Sequence, residues 1–142
     1  MTQEEKQLLL KDLCARLLYK PHVRIKDGKV DVAIDIVLNG TYIHDWITVP
    51  SCQNMTIKPY LRPMSSMTED EKDELYDWGW VYGENNIYSD GSSDANNVYQ
   101  NYQKDIQDVK WLIDWLSSHH FDYRGLIPMG LALEAPADMY KN

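Results

Sequence analysis

Residues 22–49 read "HVRIKDGKVDVAIDIVLNGTYIHDWITV", and the fold turns on whether this stretch is three strands. Asp27-Gly28 and Asn39-Gly40 both suit the type I′ turn of a tight hairpin, whose two central residues need positive φ. With two-residue turns the register follows by counting. Ile25 faces Val30, which faces Val49; Val23 faces Val32, which faces Ile47; Ile36 faces Ile43. These residues share one face. The other face carries Arg24 with Asp31 and Thr48, His22 with Ala33 and Trp46, Asp35 with His44, and Val37 with Tyr42. A one-residue slip would mix the two faces, so the agreement of two separate turns supports the register. One position disagrees: Asp45 falls opposite Ile34 on the apolar face, which calls for a bulge or an edge location.

Outward from the meander, residues 2–18 read as a helix. Thr2 with Glu5 fits a capping box, and Leu9, Leu10, Leu13, Cys14 and Leu17 form an apolar stripe. Residues 56–63, "TIKPYLRP", read as a fourth strand that Pro59 restricts to an edge or a bulge. A second helix opens at Thr68 with Glu71, again a capping box, and buries Leu75, Trp78 and Tyr82. Residues 83–97 read as a polar loop. A third helix spans about 95–118, with a stripe of Val98, Tyr102, Ile106, Val109, Ile113 and Leu116, and with Trp111 and Trp115 beside it. The tail, with Pro128, Gly130 and Pro136, allows a short helical turn and an extended end. The expected fold is α+β: a small antiparallel meander of three to four strands packed against the N-terminal helix and a long helix in the C-terminal half. At 142 residues, with no repeat and no linker, it is expected to form one domain over 1–142.

Charge is unevenly placed. Residues 1–65 carry seven acids and nine bases, and residues 66–122 carry thirteen acids and three bases. A half this acidic disfavours direct binding to a phosphate backbone, which needs Lys and Arg, and suits a basic protein partner. No apolar run reaches membrane-spanning length, so no membrane association is expected. The N-terminus has acids where a secretory leader has bases, so a cytoplasmic location is expected. Cys14 and Cys52 form no paired metal motif and read as free thiols there. No phosphate loop, dinucleotide fingerprint or nucleophile elbow is present, and no cofactor is expected.

Three places attract a chemical reading. In "SSHHFDYRG", His119 and His120 are adjacent, so on a regular helix they diverge by about 100° and cannot both face one metal. Histidines in a last turn also interact favourably with the helix's negative end. His119–Arg124 therefore reads first as a helix terminus, with Asp122 starting the next turn, Tyr123 and Arg124 packing on the sheet, and His120 a weak catalytic candidate. Asp35 beside His44 is an acid–histidine pair suited to a general base, yet a flat sheet face lacks the concavity that catalysis needs. The run "YDWGWVYG" places Trp80 away from the Trp78–Tyr82 side, either exposed in an acidic rim or covering the sheet's end. As partner contacts the sequence offers Tyr42, Trp46, Trp80, Tyr60, Arg62, Tyr123 and Arg124. No metal site is expected. Cys52 lacks an evident base, and "YSDGSSDANN" fails the calcium-loop spacing.

The segments "EEKQLLLKDLCARL", "KPYLRPMSSMTEDEK" and "HHFDYRGLIPMGLALEAP", roughly a third of the chain, together resemble a set of short uncharacterised proteins common in gut anaerobic bacteria and in their phages and mobile elements. Members of that set often carry a charged residue where this chain has Pro128. The resemblance implies a setting, an accessory protein in a cytoplasm, and no functional residue. The expected function is a non-enzymatic interaction protein that binds a protein partner, phage- or mobile-element-encoded. Two alternatives stand beside it. One is a small enzyme or ligand-binding domain using Asp35, His44 and His119–Arg124. The other is an acidic nucleic-acid mimic that inhibits a host defence protein.

Overall fold

A computed structural model describes residues 2–28, 32–49, 54–83, 86–89 and 106–140. The chain divides into two compact units, Met1–Arg62 with Leu116–Asn142, and Pro63–Trp115.

The first unit opens with α1 (Gln3–Arg16). The expected capping box is present: the Thr2 hydroxyl accepts from the Glu5 N–H, and the Glu5 carboxylate accepts from the Thr2 N–H. Leu9 and Leu13 are fully buried, and so are Asp12 and Arg16 on the same stripe, while Cys14 is exposed. β1 (His22–Asp27) and β2 (Val32–Val37) form the first expected hairpin, with a corrected register. Val23 pairs with Ile36, Arg24 with Asp35 and Ile25 with Ile34, an offset of four residues along β2 from the tight-turn count. Four is even, so the faces survive the slip. The observed register sets the larger Ile34 and Ile36 against Ile25 and Val23, and gives Arg24 a two-point partner in Asp35.

The third strand of the expected meander is overturned. Residues Gly40–Thr48 form α2. Asn39 does not turn a hairpin; its side-chain oxygen accepts from the Thr41 and Tyr42 N–H groups as a helix N-cap. Ile43 and Trp46, three apart, then face the core together. The Asp45 misfit disappears, because no strand exists there. The third strand is instead β3 (Met55–Leu61), antiparallel to β1 with Ile25 opposite Ile57. A short β6 (Leu133–Glu134) adds in parallel at Tyr60 and Leu61, giving the order β2-β1-β3-β6. β3 is thus internal, and Pro59 is tolerated because β6 pairing begins only at Tyr60. Leu9, Leu13, Val23, Ile25, Ile43, Trp46, Ile57, Leu61 and Leu126 belong to one buried core.

The second unit holds α3 (Glu69–Asp77), capped by Thr68 and Glu71 as expected. It also holds β4 (Trp80–Gly83), antiparallel to β5 (Asn86–Ser89), so four residues expected in a loop pair as a strand. α4 (Ile106–Ser118) matches the end of the expected long helix, and the unit boundary falls within it. Residues 90–105, with Val98 and Tyr102, lie outside the described residues, as does Cys52. The buried side of α4 is Leu112, Trp115 and Leu116, while Ile106 and Val109 of the expected stripe are exposed. Burying an indole removes more apolar area from water than burying Val109 does. The class is α+β, with four α-helices, a mostly antiparallel four-stranded sheet and a two-stranded one among the described residues. No helix among them is long and apolar enough to cross a membrane.

Candidate functional site

The segment that looked most like chemistry closes a helix. Phe121 donates its N–H to the Leu116 carbonyl and His120 donates to Ser117, the two bonds of a Schellman motif. His120 occupies the left-handed position, with φ 64°, where glycine is usual. Arg62 then clamps the chain as a strand would: its N–H donates to the His120 carbonyl at 2.7 Å, and its carbonyl accepts from the Asp122 N–H at 2.8 Å. The Asp122 carboxylate accepts from the Leu126 and Ile127 N–H groups, so it starts the next turn as the sequence suggests.

Tyr123 and Arg124 make contacts with residues of α1 and α4. Tyr123 meets the Ser117 hydroxyl at 3.1 Å and lies under the Arg16 guanidinium. Arg16 Nε donates to Asp12 at 2.8 Å and its Nη2 donates to the Phe121 carbonyl at 2.7 Å. Arg124 Nε approaches the other Asp12 oxygen at 3.4 Å. Asp12 and Arg16 are wholly buried, so each neutralises a charge that water does not reach.

His120 carries no imidazolium for the helix's negative end. Burial, with the positive charges of Arg16, His22, His119 and Arg62, lowers its pKa to about 4. The neutral ring stacks on Tyr140 with centroids 3.6 Å apart, and His22 meets the same ring edge-on at 5.2 Å. Tyr140 completes the sheet. The β1–β3 ladder stops at Val23 and Pro59, so His22 and Tyr60 are the next pair by count. The Tyr140 hydroxyl accepts from the His22 N–H at 2.9 Å and donates to the Tyr60 carbonyl at 2.7 Å, standing where a direct ladder bond would be. Its buried phenol has its pKa pushed up to about 12.

The Asp35–His44 pair is not formed. Arg24 donates to Asp35 at 3.0 and 3.3 Å and the Tyr60 hydroxyl donates to it at 3.0 Å. The Arg24 bonds hold the Asp35 carboxyl below its ordinary range. His44 lies exposed on α2 beside Thr48 and Asp45. Asp35, His44 and His120 therefore meet in no common site. Among the described residues no cluster of three or more His, Cys, Asp or Glu is arranged to hold a metal ion.

The expected partner contacts are also redistributed. Trp46 is 1% exposed, and its indole N–H donates to the Met55 carbonyl inside the core. Tyr60 is buried, and Trp80 is 7% exposed. Tyr42 is half-buried on α2 beside the core. Arg62, Tyr123 and Arg124 hold the helix end. Trp78, expected on the buried side of the second helix, instead faces solvent at 57% exposure, and Trp80, read as either rim-exposed or covering the sheet's end, is the buried indole. The difference follows from where α3 stops. Asp77 is its last residue and Gly79 turns at φ 81°, so Trp80 begins a strand and helical spacing no longer relates it to Trp78.

Trp78 stacks on Trp111 at 4.8 Å and 25°, and Trp111 in turn on Trp115 at 6.2 Å. Tyr76 and Tyr88 of the same unit are more than half exposed. Exposed acids crowd the neighbouring sequence: Asp73, Glu74 and Asp77 on α3, and Asp114 on α4. Residues 63–115 hold twelve acids and three bases. A comparison with protein-family models, with curated proteins and with solved structures found no match.

Proposed function

We propose that this chain is a non-enzymatic interaction protein that binds a basic protein partner through its acidic unit, with Trp78 as the anchor. The observation that carries this reading is an indole more than half exposed yet held by a stacking neighbour. A ring fixed before binding loses little conformational freedom on contact. It presents a π-face to Lys or Arg in a setting of negative charge. Tyr76 and Tyr88 extend the aromatic area. The resemblance of three segments to proteins of gut anaerobes and their phages supports an accessory role in a cytoplasm, with a host or phage protein as the partner.

The test is affinity capture from nuclease-treated lysate of a gut anaerobe, uninfected and phage-infected, read by mass spectrometry. Wild type and Trp78→Ala serve as parallel baits. One partner at near-stoichiometric yield, released by salt and lost with Trp78→Ala, is the expected result. Equal capture by both baits, or no partner at all, overturns the reading. A captured nucleic-acid-binding protein that DNA displaces would point instead to nucleic-acid mimicry.

A further inference from the structure

We infer that β2 pairs with β2 of a second copy, antiparallel and about a twofold axis at Ile34, joining the two four-stranded sheets. β2 ends the strand order, and among the described residues only β1 pairs with it. Sheet edges are ordinarily protected by Pro, Lys, a bulge or a short length. β2 has six residues in unbroken register and none of these features. Its one charge, Asp35, is held sideways by Arg24 and Tyr60. Val32, Ile34 and Val37 are each about half exposed, at 54%, 48% and 45%. A shallow groove of about 480 Å³, lined by Ile25, Asp27, Val32, Ile34, Tyr42 and Met55, runs along the apolar face.

Strand length and charge together select the occupant and the register. Residues directly opposite in an antiparallel pair share a face, so the apolar faces of two copies align only when the axis passes through a residue position. An axis at Ala33 or at Ile36 pairs only three residues of β2 with their counterparts, and an axis at Asp35 sets two aspartates opposite each other. An axis at Ile34 sets Asp35 against Ala33 of the second copy. Ala33 is paired with Lys26 in the observed hairpin. Each Asp35 then lies in one row between its own Arg24 and, across the small Ala33, the Lys26 of the other copy. Two strand spacings are about 10 Å, within the joint reach of a lysine and an aspartate side chain. On the apolar face the same axis makes a row of Ile25, Ile34, Ile34 and Ile25, and brings Ile36 of the second copy beside Val32 at the groove. The unit that carries β2 has eleven bases and ten acids, so its net charge does little to oppose the pairing of two such units.

Sedimentation equilibrium and cysteine cross-linking test this. The wild type is expected at twice 16.6 kDa, and Ile34→Lys, at a half-exposed position, is expected to be a folded monomer. Lys26→Glu, which reverses one charge of that row, is expected to weaken the dimer by about tenfold. In a Cys14→Ser/Cys52→Ser background, Ile34→Cys is expected to join to itself under mild oxidation, since opposed Cβ atoms lie about 5 Å apart. Val37→Cys is expected not to join. A wild type monomeric at about 100 μM, a dimer that survives Ile34→Lys, or cross-linking at Val37→Cys or Ala33→Cys in preference to Ile34→Cys overturns the inference. A monomer whose captured partner is lost with Ile34→Lys assigns the edge to a strand of that partner.

Discussion

The two units use charge in opposite ways. Met1–Arg62 with Leu116–Asn142 is almost balanced, yet it buries Asp12 and Arg16 completely and Asp122 nearly so. Pro63–Trp115 carries a net charge of −9, and its acids on α3 stay at the surface. Buried charge fixes structure, because removing either partner strands the other away from water. Exposed charge adds little stability and remains available for recognition. Three rings show the same division: Trp46 and Tyr140 are locked by hydrogen bonds, while Trp78, among the described residues, is held by a stacking neighbour and otherwise faces solvent.

The sharpest way to break this comparison is to remove one buried charge. Asp12→Ala leaves Arg16 without its counter-ion at a site with no exposure and deprives Arg124 of its partner. A loss of about 4 kcal/mol in urea unfolding is expected. Asp77→Ala, an equal change in charge on the exposed end of α3, is expected to stay within about 0.5 kcal/mol. The double variant Asp12→Leu/Arg16→Met is expected to lose less than Asp12→Ala alone, since the fully buried Arg16 charge goes with its partner and only the partly exposed Arg124 loses an ion pair. If the two single variants prove equally stable, the division between structural and recognition charge fails.

The buried pair also shows what the sequence leaves legible. The capping boxes at Thr2 and Thr68, the β1–β2 hairpin and the α+β class are local or periodic features, and all were readable. The pattern of α1 pointed to Leu10 and Cys14 because it counted only apolar side chains. Yet residues 9, 12, 13 and 16 share a helix face, and an acid and a base four apart on that face were the available signal. At 40–48 two rules competed. Asn-Gly with β-branched residues suggests a hairpin, while Asn as N-cap with Ile43 and Trp46 three apart suggests a helix. Asp45, misplaced in the strand register, was evidence for the helix. The exposure of Trp78 rested on a helix ending one residue before it, and no spacing rule supplies that boundary. The stitch between His22, Tyr60 and Tyr140 joins residues up to 118 apart, beyond any local pattern.

Acid probes the same unit at a second point. His120 has a folded pKa of about 4, below its ordinary 6.5. A lowered histidine value favours the neutral form in the folded state. Its stabilising contribution is therefore complete above about pH 6.5 and is lost as the pH falls towards 4. About 2 kcal/mol is expected over that window, after allowing for screening at a half-buried ring. The checks are an NMR titration of the His120 imidazole and urea midpoints from pH 7 to 4; titration near 6.5 would remove the effect. Tyr140→Phe is smaller again. It leaves the stacked ring but takes the partner from the His22 N–H and the Tyr60 carbonyl, and about 1–1.5 kcal/mol is expected. Hydrogen exchange at the His22 amide should quicken while exchange at Ile25, inside the ladder, follows only the global change.

The smallest expected effect on stability falls on the residue proposed to matter most for binding. Trp78→Ala removes one stacking contact at an exposed position, so about 0.5–1 kcal/mol is expected from thermal unfolding. Trp80→Ala, two residues on but 7% exposed, is expected to cost about 3–4 kcal/mol. The same two variants should reverse order in partner capture when compared under conditions where both are folded: Trp78→Ala loses the partner and Trp80→Ala retains it. A residue kept exposed by its own turn, with acids before it and a ring behind it, has little structural reason to be tryptophan. If Trp78→Ala instead proves as damaging to folding as Trp80→Ala, the stack with Trp111 is part of the unit's core, and the acidic unit loses its proposed anchor.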